Sequence, residues 1–179
     1  MGARHSGREA AVQMLFQMEA SGASADDAIE LFWRNFGADA DPESRAFAED
    51  AVRGVGATKE ELDKLIADAS THWRIGRMAR VDRNVLRLGV WELAYRPEVP
   101  RAVVLDEAVE LAKAYGTEES SAFVNGVLNR TAETLGRDGT SAEGGVVKLD
   151  GTSAEGGVVK LDGTSAEGGV VGSKDKEQE

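Results

Sequence analysis

Hydrophobic residues recur at helical intervals along the first 138 residues. In "REAAVQMLFQME" an apolar stripe is formed by Val12, Leu15 and Phe16, which take the i, i+3 and i+4 positions of one helix face. The next segment repeats this spacing at Ile29, Phe32, Trp33 and Phe36. The pattern predicts amphipathic helices that turn these residues toward a core.

Residues typical of helix ends divide this pattern into about seven helices. Ser24 is placed to cap the second helix, and Asp41 precedes Pro42, a residue favoured at the first helical position. A break is expected near Gly54 and Gly56. We find no strand pattern before residue 139, so the predicted fold class is all-α.

One predicted helix is apolar on most of its sides. In "DRNVLRLGVWELAY", residues 82–95, the apolar side chains surround the cylinder instead of forming one stripe. A helix of this kind is buried among others, so we expect it at the centre of the fold.

The last predicted helix contains an Asn-Gly pair, Asn125 and Gly126, which more often marks a turn. Glycine in a helix interior costs roughly 1 kcal/mol relative to alanine. We therefore expect structural roles: close approach of another helix at Gly126, and a hydrogen bond from Asn125 to neighbouring backbone or to a bound RNA edge.

The C-terminal segment has a different organisation. "GTSAEGGVVKLD" occurs at 139–150 and again at 151–162, and a shortened copy follows. A repeat this rich in small and polar residues buries too little apolar surface to order itself, so residues 139–179 are predicted to be a disordered tail. The folded domain is predicted to span residues 1–138.

Catalytic and metal-binding patterns are missing from the sequence. It has no cysteine, and its two histidines, His5 and His72, are too far apart for a metal-site spacing. It also lacks a P-loop, a dinucleotide fingerprint and a nucleophile elbow. We expect a protein without catalytic activity, metal or cofactor. With no signal peptide and no membrane span, it is expected in the cytoplasm.

Charge is unevenly distributed, although the formal net charge is -11. Arg4, His5 and Arg8 form an N-terminal cluster without an acid, and residues 74–87 carry five arginines against Asp82 alone. These arginines can form a solvated face with internal salt bridges, or they can contact RNA or an acidic partner.

Two long motifs make the chain recognisable. "REAAVQMLFQME" and "VDRNVLRLGVWELAYRPEVPRAVVLDEAVELAKAYGTEESSAFVNGVLNR" closely resemble the NusB family of bacterial transcription antitermination factors. The resemblance covers roughly residues 4–136. It implies a bundle in two small helical subdomains that binds boxA, a short single-stranded RNA of ribosomal RNA leaders. It also implies a heterodimer with NusE, a ribosomal small-subunit protein, within the antitermination complex of RNA polymerase.

The resemblance also implies which residues bind. Arg4, His5 and Arg8 match the family's basic RNA-contacting segment, and Phe123 matches a position near the RNA surface. Ser120 joins them because it begins the last helix, where backbone amides point outward. The expected partner-binding residues are Trp73, Asp82, Arg83 and Glu119.

The sequence leaves two other interpretations to consider. A similar helical domain resembles the N-terminal part of certain ribosomal RNA cytosine methyltransferases, but their cofactor domain and catalytic cysteine are not in this sequence. The second alternative is a helical interaction module, self-associating as a homodimer, with little specific RNA binding. The sequence alone does not decide between a monomer and a homodimer.

Overall fold

The computed structural model describes residues 2–37, 39–71 and 73–137, which form six α-helices and one short 3-10 helix. The predicted tail at 139–179 lies outside the described residues, as does His72. The α-helices are α1 (Ala3–Ser21), α2 (Ala25–Phe36), α3 (Pro42–Ala69), α4 (Arg80–Tyr95), α5 (Arg101–Tyr115) and α6 (Ser120–Thr134). The 3-10 helix is Ile75–Arg77. The described part of the chain contains no strand, so the all-α prediction is confirmed.

Local sequence explains where the helices begin and end. The Ser24 hydroxyl accepts a hydrogen bond from the Asp27 amide at 3.2 Å, and the Asp41 carboxylate accepts from the first amides of α3. Gly22 ends α1 with a φ of 73°, a left-handed conformation that glycine adopts without strain.

Helix α3 accounts for the difference between seven predicted helices and six observed ones. Thr58 has non-helical angles, with φ at -114° and ψ at 16°, and its hydroxyl donates to the Gly54 carbonyl at 2.8 Å. The break expected near Gly54 and Gly56 is therefore a kink, and two predicted helices are joined end to end.

The helices form two groups, α1–α3 and α4–α6, that share one continuous hydrophobic core. Helix α4 packs against α1, α3, α5 and α6. Its residues 84–93 are all buried, which confirms the prediction of a central helix. Because α4 contacts both groups, its position fixes how the surfaces on either side of it are arranged.

Two aromatic residues of the predicted core stripes instead lie on the surface. Phe16 of α1 is 38% exposed and Phe36 of α2 is 71% exposed, so their expected inward position is wrong. The i, i+4 spacing placed them on the edge of the apolar stripe, and the described residues leave that edge uncovered.

Two glycines allow close contacts between α4 and its neighbours. A Cβ on Gly54 of α3 would overlap the indole of Trp91 in α4, with Cε2 only 2.5 Å away. A Cβ on Gly89 of α4 would lie 2.9 Å from a methyl of Leu128 in α6. These contacts bring α4 against both helices.

Gly54→Ala should lower the free energy of unfolding by about 1–3 kcal/mol, because the rigid indole of Trp91 must move to accept the added methyl. Gly56→Ala is the matched control. Its Cβ would meet only Ala25 and Met18 at 3.6 Å, so stability should be unchanged or higher. Urea unfolding of both variants measures this, and equal stabilities would contradict the proposed contact.

Candidate nucleic-acid interface

The N-terminal cluster is not a single cationic patch. Arg4 is exposed, and its guanidinium lies 3.4 Å from the Glu43 carboxylate. His5 is half-buried, with Nδ1 2.7 Å from Glu107 Oε2. Of the three basic residues in this cluster, only Arg4 has an exposed side chain.

Arg8 is 2% exposed and forms a two-pronged ion pair with buried Glu92 of α4, at 2.8 Å and 2.6 Å. Burial lowers the pKa of Arg8, but the hydrogen bond and charge of Glu92 outweigh this, and the net shift is upward. Its guanidinium also lies over the Phe47 ring at 5.1 Å. The structure thus gives Arg8 a role in holding α1 against α4 and does not bring it to the surface.

Arg83 also lies in an internal network. It donates to Glu19 of α1 at 2.8 Å and to the carbonyls of Ile75 and Met78 at 2.8 Å and 3.2 Å. Arg87 of the same arginine run pairs with Asp63 of α3. Arg83 therefore ties α4 to α1 and to the segment that carries Trp73, whereas Arg74, Arg77 and Arg80 are exposed.

The remaining expected residues meet at one site, which we call the aromatic cleft. Trp73 is 56% exposed, and its ring contacts that of Phe123 edge to face with centroids 6.5 Å apart. The cleft has a volume of about 190 Å³. Its lining residues are Trp73, Arg77, Met78, Ala79, Asp82, Thr117, Glu119, Ser120 and Phe123. Folding thus joins the end of the 3-10 segment, the first turn of α4 and the start of α6.

Asp82 gives this cleft an unusual electrostatic feature. It is 8% exposed, and among the described residues its Oδ1 has no hydrogen-bond partner. A buried carboxylate oxygen without a donor is costly, so the site favours a ligand that supplies one. Glu119 adds a second acid to the same wall.

Ser120 plays a structural role at the start of α6. It is buried, and its hydroxyl accepts a hydrogen bond from the Thr117 amide at 2.9 Å. This contact shapes the corner between α5 and α6. Ser120 lines the aromatic cleft but exposes too little surface for direct RNA contact.

The explanation predicted for Gly126 is wrong. No neighbouring helix approaches it, since a Cβ would meet only the Arg130 guanidinium at 3.9 Å. Asn125 is exposed and accepts hydrogen bonds from Asn129 of the same helix, at 3.0 Å and 3.1 Å. The packing role expected at Gly126 belongs to Gly54 and Gly89.

Sequence reasoning missed a second surface, the apolar groove, of about 400 Å³. It is lined by Val12, Gln13, Phe16, Gln17, Phe32, Phe36, Val81 and Tyr115. Val81 and Asp82 are adjacent in α4, so the groove and the aromatic cleft lie on either side of its first turn. The sequence signal that could have revealed this groove was the position of Phe16 and Phe36 at the edges of the apolar stripes of α1 and α2.

Within the described ranges, no group of three or more acidic or histidine side chains is placed to hold a metal ion. None of the helices described is long and apolar enough to cross a membrane. The site offers aromatic faces, one unpaired carboxylate oxygen and arginines, which are groups for binding.

Comparison with known proteins agrees with this geometry. A family model described as "NusB family" matches residues 5–133. The transcription antitermination protein NusB of Sorangium cellulosum is 64% identical over 137 residues, covering 76% of this chain and 96% of that protein. A solved NusB structure from T. maritima is 34% identical with a TM-score of 0.66, covering 74% of this chain and 92% of that one.

A second solved structure, of antitermination factors NusB and NusE in complex with dsRNA, is 27% identical with a TM-score of 0.69. The match covers 75% of this chain and 98% of that one. The bundle with its two neighbouring clefts around α4 is that of a helical binding protein. The chain belongs to the NusB family.

Arg8→Ala should lower the free energy of unfolding by about 3–5 kcal/mol, because it leaves the Glu92 carboxylate buried without its partner. Arg4→Ala, which breaks an exposed pair, should change it by less than about 0.5 kcal/mol. Urea denaturation of the two variants tests this contrast. An Arg8→Ala protein as stable as the wild type would show that the pair does not hold α1.

Glu19→Gln should lower stability at neutral pH by about 1–3 kcal/mol, since Arg83 and Asn84 lose their charged acceptor. Burial raises the pKa of Glu19, but Arg83, Arg87 and Asn84 together bring it below 4.5. A carboxylate whose pKa is lower in the folded than in the unfolded protein stabilises the fold at pH values above its unfolded-state pKa. This stabilisation is lost as the pH falls through the pKa of the folded state.

The stability difference between wild type and Glu19→Gln should therefore be constant near neutral pH and shrink as the pH falls below the ordinary pKa of a glutamate. Urea unfolding across the acid range measures it, with Glu30→Gln on the exposed face of α2 as control. A difference that persists undiminished in acid would rule out this charge network as its cause.

Proposed function

We propose that this chain is a transcription antitermination factor that binds boxA RNA of ribosomal RNA leader transcripts together with NusE, and helps RNA polymerase avoid premature termination. Family membership supports this, as does a solved relative described as a complex of NusB, NusE and RNA. The protein acts by binding in the cytoplasm, without catalysing a reaction.

The observation that carries the proposal is the aromatic pair of Trp73 and Phe123 at the edge of the aromatic cleft. Exposed Trp73 beside Phe123 offers ring faces on which unpaired bases can stack. Single-stranded RNA is commonly held in this way, with arginines at the phosphates. Arg74, Arg77 and Arg80 are exposed near this cleft, and Arg4 is exposed on α1. Arg8 is left out of the RNA site because its charge is used inside the fold.

NusE is assigned to the apolar groove and to the acidic wall shared with the aromatic cleft. Phe16, Phe36 and Tyr115 form an exposed apolar surface of the kind that marks protein contacts. Asp82 and Glu119 provide acceptors for the basic side chains of a ribosomal protein. The net charge of -11 favours encounter with such a partner.

We place these binding functions within residues 1–138, so the repeats at 139–179 are not required for them. The family match and all the lining residues of both surfaces lie within that range.

Fluorescence anisotropy with a boxA-like RNA and a scrambled control, with and without purified NusE, tests the proposal. Binding that is tighter to boxA, and tightened further by NusE, is the expected result. Equal and weak binding to both RNAs, unaffected by NusE, would overturn it and favour a self-associating interaction module.

Asp82→Asn should weaken NusE binding about tenfold or more, because the buried acceptor loses its charge. Glu118→Gln is the matched control, since Glu118 is exposed and does not line the cleft. Calorimetric titration of each variant with NusE measures the difference, and thermal melting confirms that both are folded. Unchanged affinity of Asp82→Asn would exclude this carboxylate from the interface.

A further inference from the structure

Gly126 lies in the middle of α6 without a packing reason. The other glycines deep within helices, Gly7, Gly54 and Gly89, each leave no room for a Cβ. Gly56 does have room, but it adjoins the kink at Thr58. At Gly126 the nearest atom to an added Cβ is 3.9 Å away, and the backbone is not left-handed. Glycine at this position lowers helix stability relative to alanine, and the packing of the fold gains nothing from it.

The missing side chain opens a second cleft beside the aromatic cleft. This space of about 170 Å³, which we call the Gly126 cleft, is lined by Ser70, Thr71, Trp73, Ala122, Phe123, Gly126, Val127 and Arg130. Trp73 and Phe123 line both clefts, so the aromatic pair is a ridge between them. A single-stranded RNA stacked on this ridge can extend into either side.

Charge differs between the two sides of the ridge. The aromatic cleft contains Asp82 and Glu119 against Arg77, whereas among the described residues Arg130 is the one charged residue lining the Gly126 cleft. The second arrangement attracts a phosphate more strongly than the first, where two carboxylates offset Arg77. The polyanionic strand is therefore favoured on the Gly126 side, and the acidic side is left to a basic protein.

Arg130 is positioned for this task. Its Nη1 donates to the Ala69 carbonyl at 2.6 Å, which fixes the guanidinium at the cleft wall. Its Nη2 is the group nearest to the space above Gly126. A planar guanidinium held in this way can bind a phosphate or stack on a base.

We propose that the Gly126 cleft is a nucleotide subsite, which takes one unpaired nucleotide of the bound RNA over Gly126, against Trp73 and Phe123, with Arg130 at its phosphate. Gly126 is then a specificity-determining residue that admits the nucleotide by having no side chain. This inference rests on the proposed RNA-binding function and adds a site further along α6, across the aromatic ridge from the acidic wall.

Gly126→Leu tests the subsite, because leucine suits a helix while its side chain fills the cleft. Affinity for boxA-like RNA in the presence of NusE should fall about five-fold or more, the loss expected for one stacked base. The thermal midpoint should not decrease. Thr134→Leu is the matched control: it is exposed on the same helix, lines neither cleft and should leave affinity unchanged.

Arg130→Gln provides a readout that a structural role would not change. Removing one phosphate contact to single-stranded RNA should reduce the slope of log affinity against log salt by about 0.7. An unchanged slope would overturn the assignment of Arg130.

The outcomes separate the two proposals. If wild type prefers boxA-like RNA and Phe123→Ala weakens binding while Gly126→Leu does not, the subsite is wrong and the function stands. If wild type binds neither RNA in the presence of NusE, both are wrong. Weaker binding by a fully folded Gly126→Leu protein, with Thr134→Leu unaffected, supports the subsite.

Discussion

The buried ion pair between Arg8 and Glu92 fixes the relation between α1 and the central helix. Both side chains are almost fully excluded from water and meet through two hydrogen bonds. Such a pair stabilises the fold only while its geometry is kept, because either charge alone would be strongly unfavourable. Helix α1 supplies Phe16 to the apolar groove and α4 supplies Asp82 to the aromatic cleft, so this pair sets the spacing of the two surfaces.

The first turn of α4 is where the two surfaces meet. Val81 lines the apolar groove and Asp82 lines the aromatic cleft. At the end of α5, Tyr115 likewise lines the apolar groove and Thr117 the aromatic cleft. A protein bound in the apolar groove is therefore next to an RNA stacked on Trp73 and Phe123. Cooperation between them needs no conformational change, since contacts between the two ligands and a shared rigid support are sufficient.

Much of the fold follows from local sequence, because caps and apolar spacing act over a few residues. The helix starts at Ser24 and Asp41 and the central position of α4 were predicted correctly. The role of Arg8 could not be predicted in this way, since its partner lies 84 residues away and a terminal arginine gives no sign of burial. For Phe16 and Gly126, periodicity identifies a helix face but does not say what covers it.

The three tryptophans occupy different environments. Trp33 and Trp91 are 9% and 4% exposed, each with an arginine over its ring, whereas Trp73 is 56% exposed on the ridge between two clefts. Emission from a solvent-exposed indole lies at longer wavelength than that from buried ones. The native protein therefore contains its own optical probe at the ridge, so ligand occupancy can be followed through the long-wavelength part of its fluorescence without any attached dye.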